Sequence, residues 1–354
     1  MKKQKLGTSG LSVTPVAFGA SALGNMPDTY GYEVSEARAQ ITLQKIFEGP
    51  INFLDTSNNY GLGRSESRIG QAIKARGGLP DGFVLATKLD RDMQTGRFDA
   101  DRVARSIEES LTRLGLNCVP LLHLHDPEHA HDLDEVTRDG GAIDALFKLK
   151  EQGLVTAVGL AMGALDIMFP ILKAYPFDSL ISHNRFTLLN RSAGPMFDYA
   201  QTQDIAVFNA APYAGGVLAK GSHILPEITY QPANAKQLQP VRALEDVCSR
   251  HNIPLGAAAL QFSLSERRVT STIVGVSRPE RVEETLEWAA LELPEPALAE
   301  LAQLTFDLGD PEADRVYKPG NIHHVSPRNF GPKLSAHVGR ICWPIPKLLV
   351  VQAA

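Results

Sequence analysis

Four side chains able to exchange protons stand at or just past the ends of short apolar runs. Asp55 closes Ile51-Asn52-Phe53-Leu54, and Tyr60 follows in the polar stretch Thr56-Ser57-Asn58-Asn59-Tyr60-Gly61. Lys88 ends Phe83-Val84-Leu85-Ala86-Thr87, and His125 ends Leu121-Leu122-His123-Leu124. An apolar run that empties into polar, glycine-punctuated residues has the profile of a buried strand leading onto a catalytic loop. The chemistry such a set supports is proton exchange with an oxygen whose charge changes during reaction. A free phenol titrates at roughly 10 and is a reluctant acid or base near neutrality. An ammonium beside it favours phenolate and lowers that value, and an imidazole offers a second proton site near neutral pH.

For these groups to meet, several strand ends must open on one side of the molecule. The rest of the chain reads that way, as strand and helix in alternation. Strands are expected at 16–19, 51–55, 83–87, 119–124, 155–160, 180–183, 205–209 and 272–276. Helices are expected at 35–47 with Ser35 as N-cap, from Ser65 as cap to about 75, and at 101–114. In that last segment Val103, Ile107, Leu111 and Leu114 repeat at helical spacing. Further helices fall at 142–151, 165–174, 195–202, 241–251, 255–264, 279–289 and 297–304, with an insertion between Ala214-Gly215-Gly216 and about Pro240. Residues 6–13 read as a small hairpin turning at Thr8-Ser9-Gly10. Eight strands, each followed by a helix, predict an α/β fold, a (β/α)8 TIM barrel whose strand ends share one face. The barrel is expected over residues 1–320 as one domain. From Gly309 onward the chain is rich in Pro, Gly and His and lacks periodicity, and residues 321–354 are expected to be a loosely attached tail.

Composition narrows the function classes. A formal net charge of −5 gives no basic field for nucleic acid. Gly, Pro or charge interrupts every apolar run, so no membrane span is expected. The start, Met1-Lys2-Lys3-Gln4-Lys5, imitates a signal peptide, but Gly7, Gly10, Thr14 and Pro15 break the apolar core it would need. Cys118, Cys248 and Cys342 show no paired spacing and read as thiols of a reducing compartment, hence the cytoplasm. His123, His125, His129 and His131 together invite a metal reading. Alternation puts His123 and His125 on one strand face, but Pro127 breaks the geometry towards His129, and no metal is expected.

Taken in order, the motifs DTSNNYG.G.SE, LATK, LH.HDP and IVGVSRPERVEE resemble the aldo-keto reductase family over Leu6 to about Tyr317. The resemblance implies hydride transfer between a nicotinamide and a carbonyl or alcohol. It implies that Tyr60 exchanges the proton, Lys88 lowers its pKa, Asp55 fixes Lys88, and His125 orients the substrate oxygen and shares its proton. Singly, Asp55 could cap a loop, Lys88 pair with any carboxylate and Tyr60 pack as an aromatic; the ordered set is what points to function.

No GxGxxG follows the first strand, so a doubly wound dinucleotide fold is unsupported. In the family NADP or NAD lies across the barrel mouth, which implies cofactor contacts from Gly19, Asp55, His183, Asn184, Gly275, Ser277, Arg278 and Arg281. Backbone amides where Ser277 opens the final helix suit a phosphate, and Arg278 and Arg281 suit an adenosine 2′-phosphate. The C-terminal stretch 310–320 is expected over the mouth.

The sequence departs from the common family pattern at Gly275, where a lysine is frequent, and at Ala161-Met162 in place of Ser-Asn. It departs again at His183 in place of Gln and at Ala210 in place of a stacking tyrosine. These departures, with RFTLLN and NAAPYAGGVL, resemble the branch of bacterial D-threo-aldose (L-fucose), L-galactose and pyridoxal dehydrogenases. The expected activity is therefore NAD(P)-dependent oxidation of an aldose to its lactone, with Asn58, Tyr60 and His125, and the nearby Asn59 and Arg185, reading the sugar. The small-molecule partner is a sugar or aldehyde, and the assembly a monomer or small homo-oligomer. Alternatives are a general aldehyde or ketone reductase, a non-catalytic NAD(P)-sensing regulatory subunit, and a metal-dependent hydrolase.

Overall fold

The structure is a computed structural model describing residues 1–313 and Arg315. The expected tail at 321–354, and most of the stretch expected over the mouth beyond Ala313, lie outside the described residues. Eight parallel strands form a closed barrel. They are β1 (Val16–Gly19), β2 (Phe53–Asp55), β3 (Val84–Leu89) and β4 (Val119–His125). They continue as β5 (Val155–Ala161), β6 (Ser179–His183), β7 (Ala206–Ala210) and β8 (Ser271–Gly275). Each pairs with the next in sequence, and β8 closes the ring by pairing with both β7 and β1.

Strand alternation explains how the interior is filled. Inward rows begin apolar: Phe53, Val84 and Ala86, Leu121, Ile181, Phe208 and Ile273 form one buried cluster with Ala17 and Ala157. Leu6 and Val13, from the antiparallel hairpin Gln4–Lys5 with Ser12–Val13, join that cluster and close the floor. The outward rows pack beneath the helices in a second, larger cluster. Two residues further along the same inward rows come Asp55, Lys88, His123 and His183, so the apolar plug gives way to polar groups towards the strands' C-terminal ends.

The helices that matter for the site are α1 (Glu36–Glu48), α2 (Arg64–Arg76) and α3 (Ala100–Leu114). The Ser35 hydroxyl caps α1 by accepting from the Arg38 N–H, and Asp99 caps α3 in the same way through Arg102. Ser65 is not the cap of α2. That position belongs to Gly63 in a left-handed conformation (φ 88°). Ser65 lies inside, bonded to Thr56 Oγ1 at 2.8 Å and to the Ala20 carbonyl at 2.9 Å. The next four helices in chain order, α4 to α7, are Ala142–Glu151, Leu165–Ala174, Gly194–Thr202 and Gln239–Arg250. α8 (Leu255–Leu264), α9 (Pro279–Ala290) and α10 (Glu295–Gln303) complete the set.

The insertion after β7 contains a two-stranded ribbon, Glu227–Ile228 with Gln231–Pro232. Its tip residues Thr229 and Tyr230 both take positive φ (48° and 66°). Among the described residues no helix is long and apolar enough to cross a membrane. Cys248 is a free, buried thiol, whereas Cys118 is disulfide-bonded rather than the free thiol expected; Cys342 lies outside the described residues.

Candidate active site

At the C-terminal end of β3, Lys88 is 2% exposed and its ammonium donates three ways. Nζ lies 2.7 Å from Asp55 Oδ2, 2.7 Å from the Thr56 carbonyl and 3.2 Å from the Tyr60 hydroxyl. Adjacent parallel strands explain the Asp55 contact, since both side chains point inward from the ends of β2 and β3. Tyr60 arrives from the following loop, which is locked by a backbone contact. A Cβ on Gly61 (φ 61°) would meet the Gly24 carbonyl oxygen at 2.0 Å, so no other residue fits. The bonds Tyr60 N–H to the Ser57 carbonyl and Ser65 N–H to the Tyr60 carbonyl hold the turn into α2.

His125 ends β4, with its ring edge-on to Tyr60 at 5.7 Å between centroids. Sequence reasoning missed its partner. Asp90, one residue past β3 and two past Lys88, places Oδ1 2.7 Å from His125 Nδ1. The Ser57 hydroxyl and the Asn59 N–H both donate to Asp90 Oδ2, the latter at 2.9 Å. Register puts Lys88 beside His123, so Asp90 falls beside His125 one layer up. An acidic residue at the i+2 position from Lys88 was the available signal.

The electrostatics depart from the expectation in one respect. Burial drives the Tyr60 phenol well above its ordinary value, and Asp55, Tyr30, Asp126 and Asp90 push the same way. The Lys88 ammonium, bonded to Asp55 as well as to Tyr60, does not offset these groups. Burial likewise raises the Asp55 carboxyl against the opposing pull of Lys88. Burial also works against a charged His125, yet Asp126 and Asp90 carry that ring above its usual value. Asp90 itself is held below the carboxylate range: burial opposes ionisation, but His125, Ser57 and the Asn59 N–H outweigh it.

The opposite side of the mouth is built differently. Gly275 at the end of β8 pairs with Gly19 of β1, and a Cβ at Gly275 would meet nothing within 4 Å. Asn184, left-handed at φ 59°, follows β6. Its Nδ2 donates to Glu312 at 2.7 Å, while its buried Oδ1 has no partner among the described residues. Asp55 Oδ1 is also buried without one. These two acceptors and the bare glycine edge suit a flat, amide-bearing group lying across the strand ends. Glu312 also ion-pairs with Arg185 at 3.1 Å and lies 3.5 Å from His183 Nδ1. The segment around 310–312 thus does lie against β6. Burial lowers the His183 pKa, with Glu312 opposing.

Several expected site residues do other work. Asn58 turns away from the mouth: Nδ2 bonds the Ser106 carbonyl, Glu109 and Ser110 of α3 at 3.0–3.2 Å, and Oδ1 accepts from Arg102 at 3.2 Å. Its polar atoms are saturated by the scaffold, so it does not read substrate. Arg185 is similarly engaged by Asp310 and Glu312. α9 begins at Pro279 with Arg278 at the cap position, one residue later than a Ser277 start. Arg278 is exposed, and Arg281 pairs with Glu284 at 2.8 Å and lies over Trp288. His123 sits fully buried inside the barrel, its Nε2 3.1 Å from Ser179 Oγ and its pKa depressed by burial and Lys88. Among the described residues no group of three or more His, Cys, Asp or Glu could hold a metal ion.

The Aldo/keto reductase family profile matches residues 15–305. The chain is 34% identical to an L-galactose dehydrogenase of Arabidopsis thaliana over 79% of its own length and 86% of the relative's. It is 30% identical to a D-threo-aldose 1-dehydrogenase of a Pseudomonas species over 83% and 95%. Its fold matches that of an aldo-keto reductase from Bacillus halodurans with a TM-score of 0.71 at 23% identity, over 89% of this chain and all of that one. A barrel mouth carrying this side-chain set, within a sequence so matched, makes the chain an oxidoreductase of the aldo/keto reductase family.

Proposed function

We propose that the protein oxidises an aldose at its anomeric carbon to the lactone, using NADP or NAD. One observation carries the reading: the Lys88 ammonium is bonded at once to Asp55 and to the Tyr60 hydroxyl, with the His125 ring beside that hydroxyl. An oxygen placed between Tyr60 and His125 has a hydrogen-bond partner on either side. The names of the two sugar-dehydrogenase relatives support an aldose over other alcohols.

A bound nicotinamide supplies the two-electron acceptor or donor. Asn184 Oδ1 and His183 would hold its carboxamide, Gly19 and Gly275 would let it lie close to the strand ends, and Ser277, Arg278 and Arg281 would hold its phosphates. Arg281 would have to release Glu284 to do so. Tyr60 and His125 orient the reacting oxygen and hold its proton, while Lys88 and Asp55 fix the phenol. Asp55 and Lys88 are buried and Tyr60 and His125 half-buried, which limits the water that can reach the transfer. We propose an enzyme that is monomeric or a small homo-oligomer.

The test is a panel: L-fucose, L-galactose and D-arabinose with NAD+ and NADP+, against small aldehydes with the reduced nucleotides. Turnover of at least one aldose well above that of simple aldehydes is expected. Robust aldehyde reduction with no aldose oxidised would replace this reading with that of a general reductase. Tight nucleotide binding with no turnover of any kind would favour a sensing subunit.

A further inference from the structure

Resting on the reading that a nicotinamide nucleotide lies across the strand ends, we propose that Glu312 is a positioning residue for recognition of its carboxamide. Glu312 holds the Asn184 side-chain amide one way round, so that Oδ1 is left to accept from the carboxamide N–H. The geometry starts from what β5 and β6 offer. At the end of β5, Ala161 and Met162 are buried and bring neither a hydroxyl nor an amide. Asn184, just past β6, is buried, with its backbone at φ 59° and its N–H on the Ala210 carbonyl at 3.2 Å. The terminal torsion of an asparagine is soft and roughly two-fold, so its neighbours decide which end faces which way.

Glu312 makes that choice. Its Oε1 lies 2.7 Å from Asn184 Nδ2, and an ionised carboxylate only accepts. Burial opposes ionisation of Glu312, but His183, Arg185 and Arg315 outweigh it and hold the carboxyl below its usual range. The NH2 end of Asn184 therefore belongs to Glu312, and the oxygen is turned away from it. That oxygen is buried without a partner among the described residues, a state that is costly until a donor reaches it. The NH2 of a nicotinamide carboxamide is such a donor. Service as a counter-ion to Arg185 does not account for the contact with Asn184, because Asp310 also pairs with Arg185, at 2.6 Å.

Glu312 is delivered by a stretch of chain far from β6 in sequence. The Asp307 N–H donates to the Leu189 carbonyl at 2.8 Å, and the Asp307 carbonyl accepts from the Arg191 N–H at 2.9 Å. Asn190 Nδ2 donates to the Gly309 carbonyl at 2.8 Å, and Thr229 Oγ1 to the Pro311 carbonyl at 2.9 Å. These contacts set residues 307–311 in register, so that Glu312 enters beside β6. The segments after β6 and after β7 thus both fix the residue that orients the amide.

The experiment is titration calorimetry on the full-length protein, without sugar. The probes are NAD+ and NADP+, each against its 3-acetylpyridine analogue, in which a methyl ketone replaces the carboxamide and its N–H donors. The wild type should hold the carboxamide form about tenfold more tightly, because the analogue covers Asn184 Oδ1 without supplying a donor. In Glu312→Gln the new side chain offers both a donor and an acceptor. The Asn184 amide can then turn over, and the ratio should fall to about threefold or less. Glu312→Asp, still an acceptor only, should keep more of the ratio. Asn184→Ala should abolish the preference, and adding Glu312→Gln to it should change nothing further. A purely structural role would lower Tm and weaken both nucleotides alike, leaving the ratio where it was.

A folded Glu312→Gln protein with the wild-type ratio would overturn the inference, and so would an Asn184→Ala protein that keeps it. The second variant decides the matter should the first not fold. A wild type that binds both forms tightly and equally sinks this inference alone. Binding of no nicotinamide nucleotide would sink the proposed function with it, whereas a tenfold preference in an enzyme that oxidises no aldose would sink only the proposed function.

Discussion

The two sides of the barrel mouth are made on opposite principles. From β2 to β4, long charged and aromatic side chains are bonded to one another until few atoms remain free. From β6 round to β8 and β1 there are glycines, a short alanine at 210, an unsatisfied acceptor at Asn184, and a carboxylate borrowed from residue 312. The first side holds protons in fixed places; the second leaves room for a large flat ligand. The difference teaches where rigidity is needed. Proton positions must be right to a few tenths of an ångström, whereas a nucleotide brings its own shape and needs mainly clearance.

The contrast can be attacked at its strongest point first. Lys88→Met leaves the buried Asp55 carboxylate unpaired and should cost about 3–5 kcal/mol in urea unfolding, with turnover lost. A stable, active Lys88→Met protein would mean the charged side is not the rigid one. Asn58→Ala comes next. It strips three donated bonds and one accepted bond from α3, so about 2 kcal/mol of stability should go, while KM for sugar stays put. A KM effect without destabilisation would return Asn58 to the substrate site.

A pH series on the same unfolding assay sharpens the reading of the second charged pair. The Asp90 pKa is depressed, so its contribution is complete above the unfolded value of about 3.9 and disappears as pH falls through the folded one. The His125 pKa is raised, so its contribution is complete below the unfolded value of about 6.5 and disappears as pH rises through the folded one. Asp90→Asn should flatten both slopes. The mildest change belongs to the open side: Gly275→Ala meets nothing and should alter stability by less than about 0.5 kcal/mol. Gly275→Lys should strengthen NADP over NAD roughly fivefold, the effect of about 1 kcal/mol from an exposed charge.

This asymmetry also accounts for what could be read from the sequence. The strands, most helices and the grouping of Asp55, Tyr60, Lys88 and His125 were legible because each is a local pattern: a short apolar run ended by one distinctive residue, or apolar positions at helical spacing. Asn58 was misjudged because its type suits sugar recognition equally well, and only the packing of α3 against the loop shows where its amide points. Ser65 was misjudged because one left-handed glycine upstream moved the helix start. Asp90 sat in plain view, but its meaning depends on the lateral register of β3 and β4, which no linear spacing reveals. The Tyr60 electrostatics lay further out of reach, since burial and four neighbouring groups contribute and only one of those, Asp55, had been placed nearby.

The ribbon tip at Thr229 and Tyr230 has a consequence of its own. Two successive side-chain-bearing residues in left-handed backbone store strain that a glycine would relieve. Here the tip is tethered by the Thr229 N–H to the Ala214 carbonyl at 3.0 Å and by Thr229 Oγ1 to the Pro311 carbonyl at 2.9 Å. Tyr230 consequently presses its ring towards Tyr30, 6.3 Å away between centroids, whose hydroxyl is bonded to Ser21. Withdrawal of the backbone near 311 would remove one of these two tethers and let the tip relax. One strained tip is thus held in place from two segments far apart in sequence, near 214 and near 311.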